Sequence, residues 1–253
     1  MGEAKRRRAS GDAARKQARR RHRSWLIGGG IATVAVLLVG GFYALTTPSL
    51  SPVDDLPQAT ADAAPFPERF ARYAVRIGDP DAPVVVREFA DYQCPSCARL
   101  APTMARFKEA YVDSGQAQLV LFDFPLRQHR HAMPAALAAR CARDQGEFWP
   151  FHERLFERQS HWAEADDPRA RFVDYARELG LDEGRFRRCL HTERHRDTIE
   201  RNLEAARAFR IRATPTVFVG NVELTRPGWY QLSGVTDRQL AASTQSGRTN
   251  DSR

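Results

Sequence analysis

Only four cysteines occur in the 253 residues, and a single pair of them, Cys94 and Cys97, stands at the Cys-x-x-Cys spacing. A second such pair, which a four-thiolate zinc site would need, is missing. The nearest substitute is "CLHTERH" with Cys189, His191 and His195, better read as polar histidines on an exposed helix, so the sequence holds no metal site. Internal repeats are absent. Lysine is scarce, with 3 residues against 36 arginines, which hints at a GC-rich genome and says nothing about chemistry. Long uncharged runs are missing with one exception, and surplus charge is missing from most of the chain. The formal net charge is +8, but residues 1–24 hold ten Lys and Arg against Glu3 and Asp12. The remainder is balanced at 29 basic and 29 acidic residues. A nucleic-acid binder would carry its basic patch on the folded body, so no nucleic-acid partner is expected.

The one long uncharged run is "WLIGGGIATVAVLLVGGFYAL", 21 residues from Trp25 to Leu45. A helix of this length covers a hydrocarbon core of about 30 Å. Trp25 and Tyr43 lie near its ends, where amphipathic rings favour the interface. A cleavable signal peptide is the competing reading. Its apolar region is usually about 7 to 15 residues, and no small-x-small site follows closely, so an uncleaved anchor is favoured. The basic flank places residues 1–24 in the cytoplasm and everything after 46 outside, by the positive-inside rule. Residues 46–67, rich in Pro, Ala, Ser, Thr and Asp without an apolar period, read as a tether. The folded domain is expected over 68–243, with 244–253 as a disordered tail.

Within the domain, "APVVVREFA" (82–90) reads as a buried strand and "QAQLVLFDF" (116–124) as a second, with an intervening helix carrying Leu100, Met104, Phe107 and Tyr111 at helical spacing. Strand, helix, strand predicts a parallel pair. Helical spacing then dominates to Arg210, broken at Gly146, Pro168 and Gly180. "TVFVGNVEL" (216–224) reads as a hairpin turning at Gly220 and Asn221. A short helix over 236–243, capped by Thr236, closes the domain.

The Cys94–Cys97 spacing at a helix start closes too small a loop to be a useful structural crosslink. Redox chemistry fits better. A cysteine at a helix N-terminus has free backbone N–H groups and the positive dipole end at its sulfur, which favours thiolate. Cys97, one turn in, is placed to attack a mixed disulfide as the resolving thiol.

"IGDPDAPVVVREFADYQCPSC", Pro102 and "ATPTVFVG" together resemble a thioredoxin-fold thiol:disulfide oxidoreductase of the DsbA type, over roughly residues 75–240. The resemblance implies an α/β thioredoxin fold with a helical insertion at about 130–209, preceded here by one N-terminal transmembrane helix. It makes Pro215 the cis proline, Thr214 its partner facing the sulfurs, and Pro102 a kink in the active-site helix. It gives Glu88 the part of a buried carboxylate assisting proton movement at the resolving thiol, with a raised pKa. The alternative is a Glu88 pointing to solvent at the strand end. Asp91 reads as a solvated turn residue. Cys141 and Cys189 are implied as a second, structural disulfide closing 48 residues, which on the chain-entropy model contributes about 4 kcal/mol; two buried free thiols are the alternative.

By the same resemblance, no cofactor is expected beyond the redox-active disulfide itself. The expected function is a monomeric, membrane-anchored dithiol oxidase acting on exported cysteine-containing polypeptides, reoxidised by a quinone-linked membrane partner of the DsbB or VKOR type. The dipeptide Pro95-Ser96 has the proline of the oxidases without the histidine common in their strongest members, implying a milder drive to oxidise. An isomerase or reductase on the same fold, or a tethered binding module with a permanent disulfide, are the alternatives.

Overall fold

Two strands flanking one helix decide where the chemistry sits. A computed structural model of the chain describes residues 56–59 and 66–250. The expected basic tail, the anchor and most of the tether lie outside the described residues. Among the described residues, no helix is long and apolar enough to cross a membrane.

The chain enters through a one-turn helix, α1 (Glu68–Ala71), and a short strand, β1 (Val75–Ile77). Next come β2 (Val84–Ala90), α2 (Pro95–Phe107) with a π-helical turn over Lys108–Val112, and β3 (Ala117–Asp123). Six helices follow without a strand: α3 (Ala132–Arg143), α4 (Phe148–Glu157), α5 (Gln159–Trp162), α6 (Arg169–Glu178), α7 (Glu183–His191) and α8 (Arg196–Ala208). The hairpin β4 (Thr216–Val219) and β5 (Val222–Glu223) precedes the last helix, α9 (Trp229–Asn250).

The sheet order is β1-β3-β2-β4-β5. β2 and β3 pair in parallel, as the strand–helix–strand pattern predicts, with Val84 opposite Ala117 and Ala90 opposite Asp123. The hairpin turns at Gly220, whose φ of +57° suits a residue without a Cβ. β1 escaped the sequence reading because three residues are too few to show a period.

Side chains alternate across β2, so its two faces feed two cores. Val84 and Val86 pack with Leu100, Met104 and Phe107 of α2 and with Leu232 and Val235 of α9. Phe89 packs with Phe122 and with Ala205 and Ala206 of α8 on the opposite face. The six-helix insertion contributes Phe151, Leu155, Trp162, Phe172, Phe186 and Ile199 to a third core, which also takes in Ala90, Leu121, Cys94 and Cys97.

Two expectations need correction. Thr236 does not begin a helix: it lies inside α9, fully buried, and its hydroxyl donates to the Leu232 carbonyl at 2.7 Å. The helix starts earlier because Leu232 and Val235 dock on the sheet, and packing rather than a cap sets its extent. Its helical backbone also continues to Asn250, past the Ser243 expected as the domain's end. The tether reading fails for Leu56 and Phe66. Leu56 is buried against Gly234, where any Cβ would meet its methyls at 2.9 and 3.0 Å. Phe66 stacks on Phe209 with ring centroids 4.1 Å apart. Isolated apolar residues in a Pro/Ala-rich stretch carry no periodicity, and only the grooves they fill reveal them.

Candidate active site

Cys94 is the N-cap of α2, with Pro95 at the first helical position, where a missing N–H costs nothing. Both thiols are free. Cys94 is 7% exposed and Cys97 is fully covered. Pro102 sits inside α2 and cannot donate to the Ala98 carbonyl, as expected of a kinking residue. The Thr214–Pro215 bond is cis, and the Thr214 carbonyl accepts from the Cys94 thiol at 3.4 Å.

This arrangement splits the two thiols electrostatically. Cys94 is lowered to about 4. The chief cause is the Cys97 S–H donating to its thiolate, helped by the Thr214 hydroxyl and by the backbone N–H groups of Cys97 and Ser96. The Thr214 hydroxyl is buried with no partner in the protonated site, so its hydrogen is available to the thiolate. Cys97 is pushed far up, first because its proton is held by Cys94 and then by burial. One sulfur is therefore an anion at neutral pH and the other keeps its proton.

Glu88 lies in the central strand β2, 3% exposed, which excludes the solvent-facing alternative. Burial raises its carboxyl from 4.5 to about 7. Its ionised form also disfavours a Cys97 thiolate, so the two groups are within electrostatic reach. A cavity of about 30 Å³ lies against Glu88, lined also by Ala101, Met104, Trp149 and His152. That is room for about two waters.

A pH signature follows from this carboxyl. Above pH 4.5 the unfolded chain ionises Glu88 while the folded one keeps it protonated until about 7. Stability is therefore complete below 4.5 and falls as pH rises to 7, by roughly 3 kcal/mol. Glu88→Gln is expected to equal the wild type at pH 4 and to exceed it by that amount at pH 8 in urea unfolding. Parallel profiles for the two proteins would show that Glu88 is not buried as a neutral acid.

Asp91 is not the solvated turn residue expected; it is 1% exposed. Its carboxylate accepts from the Gln93 and Leu126 N–H groups at 2.7 and 2.9 Å and from His129 Nδ1 at 2.7 Å. Burial raises its pKa against those donors. The "ADYQ" loop reads as polar, but its carboxylate is used to tie the active-site loop to the segment after β3.

Several supporting residues had no clear sequence signal. Gln159 Nε2 donates to the carbonyls of Tyr92 at 2.7 Å and Cys94 at 3.0 Å. Gln93 Nε2 donates in the opposite direction, to the Ala163 carbonyl at 2.7 Å. Two glutamines thus fasten the nucleophile's loop to the insertion. The Tyr92 hydroxyl donates to Nδ1 of His152 at 2.9 Å; burial holds His152 at about 3, so the imidazole is neutral and able to accept. Arg140 is wholly buried and pairs with Asp123, Nε to Oδ2 at 2.7 Å. Asp123 carried the same signal as Glu88, a carboxylate in a buried strand, but its partner stands in an alanine-rich helix 17 residues away.

Cys141 of α3 and Cys189 of α7 are bonded, with S–S 1.99 Å and Cα atoms 5.8 Å apart. Sulfurs of this pair and a His195 nitrogen lie within 4.8 Å of one another, but the disulfide consumes both thiols.

Residues 71–237 match the family model described as Thioredoxin. A probable disulfide bond formation protein D of Bacillus anthracis is 29% identical over 168 residues, 65% of this chain and 77% of that protein. A Na(+)/H(+) antiporter, NhaA 3 of Salinispora tropica, is 36% identical over 143 residues, 56% of this chain; the chain spans only 21% of that protein's length. Among solved structures, alpha-DsbA1 of Wolbachia pipientis superposes with a TM-score of 0.62 at 21% identity, covering 68% of this chain and 94% of that one. The family match takes in the paired cysteines, the whole insertion and the cis-proline loop, and the chain belongs to the thioredoxin family as a thiol:disulfide oxidoreductase with the fold of alpha-DsbA1.

Proposed function

We propose that the protein is an extracytoplasmic dithiol oxidase, anchored by residues 25–45, that passes its Cys94–Cys97 disulfide to exported cysteine-containing polypeptides. The observation that carries this reading is the separation of the two thiols, Cys94 at about 4 and Cys97 far above the ordinary range. A stabilised Cys94 thiolate favours the reduced protein, which makes the disulfide a good oxidant.

In the forward direction a substrate thiolate attacks Cys94 Sγ. The Cys94–Cys97 bond breaks, and Cys97 leaves as a thiolate that takes up a proton, with Glu88 as the nearby buried acid. A second substrate thiolate then attacks its own neighbouring sulfur in the mixed disulfide. Cys94 departs as the stabilised thiolate, and two electrons have moved from substrate to protein. A quinone-linked membrane partner of the DsbB or VKOR type would remove them.

The reduction potential tests the direction. It is expected between those of protein disulfide isomerase and DsbA, about −180 and about −120 mV, whereas a value near about −270 mV would assign a reductase. Reporter fusions after Leu45 and protease protection of vesicles test the compartment. A domain shielded on the cytoplasmic side would remove the oxidase role.

A further inference from the structure

The flank of α2 carrying Ser96 and Arg99 faces Thr214, Pro215, Pro227 and Gly228 across a cleft of about 350 Å³. Ser96 and Thr214 are the residues beside Cys94, so a chain seated in this cleft reaches the nucleophile. Among the described residues, no carboxylate lines it. Arg99 is exposed; among the described residues its guanidinium donates from Nη2 to Ser96 Oγ at 2.8 Å, and Nε and Nη1 remain as open donors. The chain entering the far wall adds two more exposed arginines, Arg212 two residues before Thr214 and Arg226 next to Pro227. Several arginines of the insertion are by contrast paired with carboxylates: Arg154 and Arg158 with Glu178, Arg177 with Glu183, Arg201 with Glu204. The other flank of α2 differs again, with Ala98, Pro102 and Phe156 bordered by Glu153 and Glu157.

From these observations we infer that the cleft selects polypeptide segments bearing an acidic side chain two or three residues from the reacting cysteine, with Arg99 as the residue that reads the carboxylate. The inference rests on the oxidase reading and names its substrate class. The spacing follows from geometry. Arg99 stands five residues beyond Cys94, about 7.5 Å along the helix axis. An extended substrate advances about 3.3 Å per residue, so its second or third neighbour draws level with the guanidinium. An exposed pair of this kind contributes mainly to encounter rate and choice of partner.

The test uses the oxidised full-length protein in detergent and reduced two-cysteine peptides that differ only in Glu, Gln or Lys at the second and third positions beyond the reacting cysteine. At an ionic strength of about 0.01 M the Glu peptide is expected to be oxidised ~3–5-fold faster than the Gln peptide, with the Lys peptide slowest. At about 1 M salt the three rates should converge, since screening then acts within about 3 Å. Arg99→Glu is expected to reverse the order and Arg99→Gln to erase it, with the Cys141–Cys189 disulfide mapped in each variant to confirm folding. Equal rates for Glu and Lys peptides at low salt, or an order unchanged in Arg99→Glu, overturn the inference. If no peptide is oxidised, the oxidase reading fails instead. The same ordering is then sought in the reverse direction, with reduced protein attacking the peptide disulfides, and equal reverse rates overturn the charge preference as well.

Discussion

Replacing Cys97 with alanine is expected to stop turnover and to leave Cys94 trapped in mixed disulfides. Attack on a substrate disulfide by the Cys94 thiolate needs only the exposed edge of that sulfur, whereas release needs the second thiol one helical turn away. Reduced Cys97→Ala protein, incubated with exported proteins carrying disulfides, should accumulate adducts at Cys94 that a dithiol reverses. Cys94→Ala should form none, because Cys97 is covered and, with the Cys94 contribution removed, burial and the neighbouring Glu88 still disfavour its thiolate.

The same variant separates the causes of the low Cys94 pKa. In the wild type the thiolate is expected to titrate at about 4, followed by its ultraviolet absorbance. Removing Cys97 deletes the largest contribution, the S–H donated to that thiolate. The midpoint should therefore rise in Cys97→Ala, yet stay below the free-cysteine value of about 8.5. The Thr214 hydroxyl and the helix N–H groups remain to hold it down. Titration at about 8.5 in both proteins, with no adducts, would leave the pair unable to act as an oxidant, and a tethered binding module would be the better reading.

Loss of the Cys141–Cys189 disulfide should bring the largest change in stability. With both cysteines replaced by alanine, the unfolding free energy is expected to drop by at least about 4 kcal/mol, since a crosslink across 48 residues strongly restricts the unfolded chain. The sulfurs are also core atoms, in contact with the cluster built on Phe151, Phe172 and Phe186. Two smaller side chains there add a packing deficit to the entropic loss. Urea unfolding of the double variant, with Cys94 and Cys97 kept reduced in both proteins, measures the sum. In unreduced native protein, Cys141 should resist alkylation. A double variant as stable as the wild type would show that the insertion is held by its apolar core alone.

These expectations divide by the kind of information behind them. The Cys-x-x-Cys at a helix start, the strand pair around it, the Gly220–Asn221 turn and the order of motifs up to Pro215 are local or nearly local. Periodicity, turn chemistry and capping act over a few residues, so the chain itself specified them, and the six-helix insertion between β3 and β4 showed as a long run of helical spacing. Glu88 stood out as a contradiction, an acid inside a strand of valines, but the choice between a buried carboxylate and a solvent-facing one was made by the structure.

Tertiary structure alone decided the rest, because each remaining feature depends on two segments meeting across many residues. Asp91 became a buried acceptor when the segment after β3 brought His129 and Leu126 to it. Gln159 became a clamp on the Cys94 loop when α5 was laid against that loop, 65 residues distant in sequence. Thr236 looked like a cap until Leu232 and Val235 docked on the sheet and extended the helix past it. Arg140 found Asp123 only by folding α3 over the strand end, and neither residue could remain there unpaired, since a buried charge without a partner is costly. Side-chain type sets what a residue can do, and long-range packing sets which of those possibilities is used.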